Sequence, residues 1–317
     1  MSKIVILDAS TLGDDTDLSP VLSLGDCQVF SATVPGEAVR HIGDSEVVLV
    51  NKVKLTREIL SKCPGVRLIG TFATGYDVVD LDYLKEAGIA LCNVRGYSTE
   101  SVLNLTVGMA LHLSLHLKAY QDYVSDGSYT DSGVANYLKP SFHDLSGKTW
   151  GIVGYGSIGR RVGEVASALG CRVIYTNKSG KDSAPGYRTL DSLLKESDIV
   201  SLHLPLTPET RRLISKERIG EMKDGAILIN VARGLICDEQ ALTDAVLSGK
   251  LGGLGVDVYS EEPFSKEHPF SRLLNHPNVL LTPHMAWGSI EARNRCVREV
   301  FENIVSFYAG ESRNRIV

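Results

Sequence analysis

Short apolar runs alternate with longer segments in which apolar residues recur every three or four positions, from one end of the chain to the other. Parallel strands covered on both faces read as such runs, and the crossover helices carry the longer period. The alternation predicts an α/β fold with parallel sheets. In the first hundred residues, 4–7, 28–30, 47–50, 68–71 and 89–92 read as strands, with helices between them at 56–61 and 81–87 among others. Five such strands suit a small doubly wound domain of flavodoxin-like order. A long helix is predicted from about Thr99 to Ala119, followed by an irregular polar stretch at 126–145. Loops of that length are uncommon inside a compact domain, so this stretch reads as an arm that packs on a partner subunit. A second series opens at Lys148, with strands at 149–153, 172–175, 199–202, 226–229, 253–256 and 279–281. A last helix spans 289–308 and is expected to return to the first domain.

The chain has 317 residues, which fits two domains of about 150 better than one core. Apolar residues make up 43% and charged residues 22%, an ordinary balance for a globular enzyme. The formal net charge is −5 and the Lys and Arg residues form no stripe, so a nucleic-acid partner is not expected. No signal-peptide pattern follows Met1, and no run approaches the ~18 apolar residues that cross a bilayer. A cytoplasmic protein with no membrane partner is therefore the expectation. The six cysteines lack any C-x-x-C spacing and read as reduced thiols. His112 and His116 share the long predicted helix but have no third ligand nearby, so no metal is expected.

Chemistry first enters at Gly154-Tyr155-Gly156-Ser157-Ile158-Gly159, a G-x-G-x-x-G that follows the apolar run at 149–153 and opens a helix read at 160–169. Gly154 makes the tight turn, Gly156 lets the backbone approach a pyrophosphate, and the third glycine lets helix and strand pack closely. The N–H groups at Ser157 and Ile158 then face the phosphates with the positive end of the helix dipole. Alone the motif is a weak signal; at the head of a six-strand series it points to a dinucleotide cofactor. An acid about 20 residues on would hold the ribose 2′-hydroxyl of NAD. Here the second strand runs into Asn177-Lys178-Ser179, with Lys181 and Arg160 nearby. NAD(H), with its ribose on Asn177, and NADP(H), with its 2′-phosphate on a cation such as Lys178, are left equally open.

Three later strands of this series end in Val231-Ala232-Arg233-Gly234, in Asp257-Val258-Tyr259-Ser260-Glu261-Glu262-Pro263 and in Thr282-Pro283-His284. In the dinucleotide-binding order 3-2-1-4-5-6, the carboxyl ends of strands one, four, five and six line one crevice. An Arg, an acid and a His would then face the glycine loop. A 2-keto acid needs a planar cation for its carboxylate and carbonyl oxygen. It also needs a proton donor with a pKa near neutrality as hydride arrives at carbon. A carboxylate on the second imidazole nitrogen fixes the tautomer and keeps the ring protonated enough to donate.

These segments, with Pro283-His284-Met285-Ala286-Trp287, resemble the D-isomer-specific 2-hydroxyacid dehydrogenases over nearly the whole chain. The resemblance implies two Rossmann-like domains. A flavodoxin-like substrate domain would be built from 1–98 and 288–317, and an NAD(P)-binding domain from 99–287, with a dimerisation arm at about 120–147. It implies substrate binding by Arg233, support of the His by Glu262, and acid/base work by His284. It also implies nicotinamide contacts at Asp257, Val231 and Ala232, and places His203, Pro205, Thr210 and Thr106 with the cofactor set. Ala73, Thr74 and Gly75 match the loop whose N–H groups hold the substrate carboxylate, and Lys52 reads either as a contact of the substrate hydroxyl or as a surface charge. Asn51-Lys52, the 71–77 loop, Gly96-Tyr97-Ser98-Thr99 and Trp287 look most like the glycerate dehydrogenase (hydroxypyruvate reductase) branch. That branch implies reduction of hydroxypyruvate to D-glycerate, and of glyoxylate to glycolate, by a homodimer. Leu103-Asn104-Leu105-Thr106 departs from the family pattern, as does the missing acid after the second strand. Another 2-keto acid, or a cofactor-sensing corepressor that does no chemistry, stays open at this point.

Overall fold

The computed structural model describes residues 2–177 and 184–317, and it divides into two compact units, Met1–Ser98 with Trp287–Val317, and Thr99–Ala286. In the first unit, β1 (Ser2–Ile6), β2 (Gly25–Val29), β3 (Val47–Val50), β4 (Leu68–Thr71) and β5 (Ala90–Cys92) form a parallel sheet. Its order is β2-β1-β3-β4-β5, the flavodoxin-like arrangement that the pattern predicts. The residues of β3 and β4 are all buried, which is why they read as unbroken apolar runs. Strand β2 lies at the edge with exposed alternate positions, and it begins at Gly25, ahead of the expected 28. The helix Ile290–Tyr308 covers this sheet with a buried stripe that includes Ala292, Cys296, Val297, Val300 and Ile304. Full burial of each Val or Ile in that stripe stabilises the unit by about 1.5–3 kcal/mol. The chain end continues to the sheet margin, where Ile316 N–H donates to the Leu91 carbonyl at 2.8 Å.

The second unit holds β6 (Thr149–Val153), β7 (Arg172–Thr176), β8 (Ile199–Leu202), β9 (Ala226–Asn230), β10 (Leu251–Val256) and β11 (Val279–Leu281). All are parallel, in the order β7-β6-β8-β9-β10-β11. This corrects the expected 3-2-1-4-5-6. The third run of the series, β8, lies between β6 and β9 rather than outside β7. The outer place beside β7 is taken by a single bridge, Tyr175 to Tyr187, closed by Tyr175 N–H to Gly186 and Arg188 N–H to Tyr175. Pro185 lacks an N–H and Gly186 lacks a side chain, so the segment pairs without becoming a strand. The reversal of strand order therefore falls between β6 and β8, so the His203 segment follows the strand that neighbours the glycine loop's own strand. Trp150, fully buried on β6, donates its indole N–H to the Ser201 hydroxyl of β8 at 2.9 Å.

The long helix is shorter than expected. It runs over Thr99–Ser114, stops where His116 adopts a left-handed φ of 51°, and resumes as Leu117–Ser125. His112 and His116 therefore do not share one helix. The arm is also not wholly irregular, since Ser128–Ser132 is a short helix. The helix Ser157–Ala168 begins three residues before the expected 160. Among the described residues, no helix is long and apolar enough to cross a membrane.

Candidate active site

The glycine loop joins β6 to the helix Ser157–Ala168 inside the second unit. Gly154 has a φ of +98°, and a Cβ there would stand 2.4 Å from the carbonyl oxygen of His203. Both facts demand glycine. At Gly156 a Cβ would meet nothing among the described residues within 4 Å, which is the open approach a phosphate needs. Gly156 caps the helix without a side chain, so among the described residues the first N–H groups at Ser157 and Ile158 have no side-chain cap. His203, at the end of β8, shares its Nε2 with the Ser201 hydroxyl at 3.0 Å. Its Nδ1 is buried and has no partner among the described residues. Desolvation pushes the pKa of this ring down to about 3, so it stays neutral. A buried orphan of this kind calls for a group from outside the chain. Together the open cradle and the orphaned nitrogen fit a bound dinucleotide.

Three loops at the carboxyl ends of β9, β10 and β11 carry the candidate chemistry. After β11, His284 sits at a φ of 52°, a conformation costing a side-chain-bearing residue about 1–2 kcal/mol. The strain is held by Asp257, which is fully buried at the end of β10. One carboxylate oxygen accepts from Met285 N–H at 2.9 Å and the Thr282 hydroxyl at 2.5 Å; the other accepts from Ala286 N–H at 2.9 Å. Burial raises the pKa of Asp257, and the bonds from Thr282, Ala286 and Met285 oppose it. Asp257 thus fixes the backbone on which His284 stands. Its expected contact with a nicotinamide amide would have to share oxygens that already hold this loop.

His284 Nδ1 lies 2.7 Å from Glu262 Oε2. The other oxygen of Glu262 accepts from Tyr259 N–H at 3.0 Å, so the acid closes its own turn while it faces the imidazole. The preceding strand end is clamped in turn. Asn230 Nδ2 donates to the Arg233 carbonyl at 2.9 Å, and its Oδ1 accepts from Ala232 N–H at 3.0 Å. Arg233 is half-buried, and one of its nitrogens donates to the Ala232 carbonyl at 2.7 Å. Gly234 presses on the neighbouring loop: a Cβ there would lie 2.0 Å from the Tyr259 carbonyl carbon. The turn that carries Arg233 is therefore packed, backbone to backbone, on the turn that leads to Glu262. Gly234→Ala should cost about 1–3 kcal/mol, the usual penalty for forced overpacking. Thermal unfolding checks this, and a midpoint equal to that of the unmodified chain would contradict it.

In the first unit, the loop after β4 is tied to the segment after β5. Val94 N–H donates to the Ala73 carbonyl at 2.9 Å, Asn93 Nδ2 donates to the Thr74 carbonyl at 2.7 Å, and the Thr74 hydroxyl donates to the Val94 carbonyl at 2.7 Å. The N–H groups of Ala73, Thr74 and Gly75 have no acceptor among the described residues. Successive unpaired N–H groups make a concavity suited to a carboxylate. Lys52 follows β3, and its backbone is held by Asp8, a buried acid that sequence reasoning missed. Asp8 accepts from the N–H groups of Asn51, Lys52 and Val53 at 3.0, 2.6 and 3.0 Å.

Other expected cofactor residues are placed differently. Thr106 is fully buried, with its hydroxyl on the Val102 carbonyl one turn back, and offers no surface to a ligand. Thr210 closes the turn after His203, donating to the Pro205 carbonyl and accepting from Thr207 N–H, both at 2.7 Å. Val231 and Ala232 are buried beside Arg233. Asn177 ends the β7 segment half-buried. Lys178 lies outside the described residues.

Comparison with known proteins follows the same lines. Residues 107–286 match the D-isomer specific 2-hydroxyacid dehydrogenase, NAD binding domain. The chain is 38% identical to a hydroxypyruvate reductase of Blautia hydrogenotrophica, covering 98% of each. It is 34% identical to a glycerate dehydrogenase of Methylorubrum extorquens, again covering 98% of each. A solved structure of a D-lactate dehydrogenase from Aquifex aeolicus, complexed with NAD and lactic acid, superposes with a TM-score of 0.84 at 32% identity, covering 98% of this chain and 96% of that one. On these grounds the chain belongs to the D-isomer specific 2-hydroxyacid dehydrogenase family, near its glycerate dehydrogenases, and is a nicotinamide-dependent oxidoreductase.

Proposed function

We propose that the protein reduces hydroxypyruvate to D-glycerate, and glyoxylate to glycolate, with His284 as acid/base, Arg233 as the substrate cation and Glu262 as the partner of His284. The observation that carries this reading is the 2.7 Å contact between His284 Nδ1 and Glu262, on loops at adjacent strand ends. The names of the two similar relatives favour this substrate. A bound reduced nicotinamide would supply the hydride. Nδ1 faces Glu262, and Nε2 of His284 is proposed to hand a proton to the substrate oxygen. In the oxidative direction the same nitrogen takes that proton back. Arg233 offers its planar fork to the substrate carboxylate and polarises the carbonyl. The unpaired N–H groups of the 73–75 loop and Lys52 are proposed to take the remaining polar groups of a small, hydrophilic substrate.

On its charges, the ribose end of the site favours neither NAD(H) nor NADP(H). Asn177 stands where an acid would repel a 2′-phosphate. Arg160 lies over the Tyr155 ring at 5.5 Å and donates to the Tyr155 carbonyl, so a cation is held beside the glycine loop. The protein is also proposed to be a cytoplasmic homodimer through the arm at about 120–147. Val134 and Leu138 on that arm are 57% and 66% exposed, next to a stacked Tyr123–Tyr137 pair.

Initial rates decide between substrates and cofactors: hydroxypyruvate, glyoxylate and pyruvate, each with NADH and with NADPH. Hydroxypyruvate is expected to be the fastest, with glyoxylate second. A preference for pyruvate by tenfold, about 1.4 kcal/mol of transition-state discrimination, would replace the substrate assignment. Light scattering after size exclusion is expected to give the mass of a dimer, and a monomer at micromolar concentration would remove the arm's proposed role.

A further inference from the structure

Behind the Glu262 turn lies a buried polar cluster that the chemistry above does not use. Glu239 is the first residue of the helix Glu239–Leu247, and it is buried. Its Oε1 accepts from Ser260 N–H at 2.8 Å. Its Oε2 accepts from the Ser260 hydroxyl and from His268 Nε2, the latter at 2.9 Å. His268 is buried as well, among Phe264, Phe270 and Tyr259. Its Nδ1 accepts from Phe270 N–H at 3.2 Å and so caps the short helix Pro269–Leu273. That bond fixes the tautomer: Nε2 carries the hydrogen and points it at Glu239.

A buried carboxylate is costly unless its lone pairs are met, and here three donors meet them. Two of the three come from one residue, Ser260, which lies two positions before Glu262. The turn itself is exposed at Glu261, Glu262 and Pro263. Exposed loops are mobile unless tied down. Besides its own Tyr259 N–H to Glu262 bond and the bond from the Tyr259 hydroxyl to the Thr282 carbonyl at 2.8 Å, the contact of Gly234 with Tyr259 and Ser260 and the Glu239 carboxylate hold this one. The Gly234 contact only prevents approach. The Glu239 carboxylate is directional and is the tie that takes both donors of Ser260, so it fixes the Ser260 backbone two positions before Glu262.

We propose that Glu239 is a positioning residue for the His284–Glu262 pair, acting through Ser260 and anchored by His268. The proposal rests on the reading that this pair is the acid/base machinery. Glu239→Gln keeps the shape but puts an N–H₂ group against donors, either Ser260 N–H or the Ser260 hydroxyl and His268. Ser260→Ala removes one bond and Ser260→Thr restores it.

The test measures kcat, KM for hydroxypyruvate and dinucleotide Kd across pH for the full chain, beside Glu262→Gln as reference. Glu239→Gln is expected to lower kcat about 10–100-fold, as loss of an outer partner of a reactive group does, with dinucleotide Kd nearly unchanged. Its pH profile should move with that of Glu262→Gln: the alkaline limb of keto-acid reduction shifts to lower pH, because an imidazolium less supported by its carboxylate gives up its proton sooner. Glu262 faces His284 Nδ1, and Asp257 interacts with its charge. Ser260→Ala should fall between, and Ser260→Thr should recover. A folded Glu239→Gln with the unmodified chain's kcat and pH profile, while Glu262→Gln loses both, overturns this proposal and leaves the acid/base reading standing. Glu262→Gln behaving like the unmodified chain overturns the acid/base reading and this proposal with it. If Glu239→Gln does not fold, the Ser260 pair decides: equal kcat for Ala and Thr overturns the proposal.

Discussion

His284→Ala should lower kcat for 2-keto acid reduction by about 10²–10⁴-fold, the usual worth of a positioned general acid. Dinucleotide Kd should stay close to that of the unmodified chain. The separation follows from where the groups sit. The glycine cradle and the orphaned His203 nitrogen belong to the loops after β6 and β8, while His284 stands on the loop after β11. Alanine also relieves no essential packing, because the loop is held by backbone bonds from Met285 and Ala286 to Asp257, and these remain. Glu262→Gln should lose less, since the amide can still orient the ring but no longer supports its charge. Steady-state kinetics with fluorescence titration of the dinucleotide measure both quantities. Equal losses of turnover and cofactor affinity would make His284 a structural residue of the loop.

The parts of this site that were legible in the sequence are those with a strict local grammar. The apolar runs of β3, β4, β6 and β9 are buried along their length, so their periodicity reports them directly. The glycine loop is visible because the close approach to His203 admits no side chain. The order of the second sheet was misread for a definite reason. The series holds six strands, but the place beside β7 went to the Tyr187 bridge, too short and too interrupted by Pro185-Gly186 to register as a run. The break at His116 has no proline or glycine to announce it. Glu239 and His268 were illegible for another reason. An acid in a first helical turn reads as a surface charge that complements the dipole. Only the tertiary fold shows three donors converging on it. Asp8, at the end of an apolar strand, was hidden in the same way: its partners are backbone N–H groups 43–45 positions away.

Arg233→Ala should reduce kcat/KM for any 2-keto acid by about 10³-fold, near 4 kcal/mol, because one guanidinium is asked for two tasks. Its grip on the substrate carboxylate is made equally in ground and transition states, so that loss should raise KM. Its pull on the carbonyl oxygen grows as charge develops there, so that loss should lower kcat. Both parameters are therefore expected to move, unlike those of His284→Ala, where kcat carries nearly all the change. Arg233→Lys should recover little, since a point charge cannot form two parallel bonds to a carboxylate. The fold should tolerate both substitutions. The turn is set by the Asn230 side chain on the backbone of Ala232 and Arg233 and by the Gly234 contact, none of which uses the guanidinium. Thermal unfolding of the variants controls for this. A well-folded Arg233→Ala that still reduces hydroxypyruvate at the unmodified rate would move the substrate cation elsewhere, with Lys52 after β3 the next residue to replace.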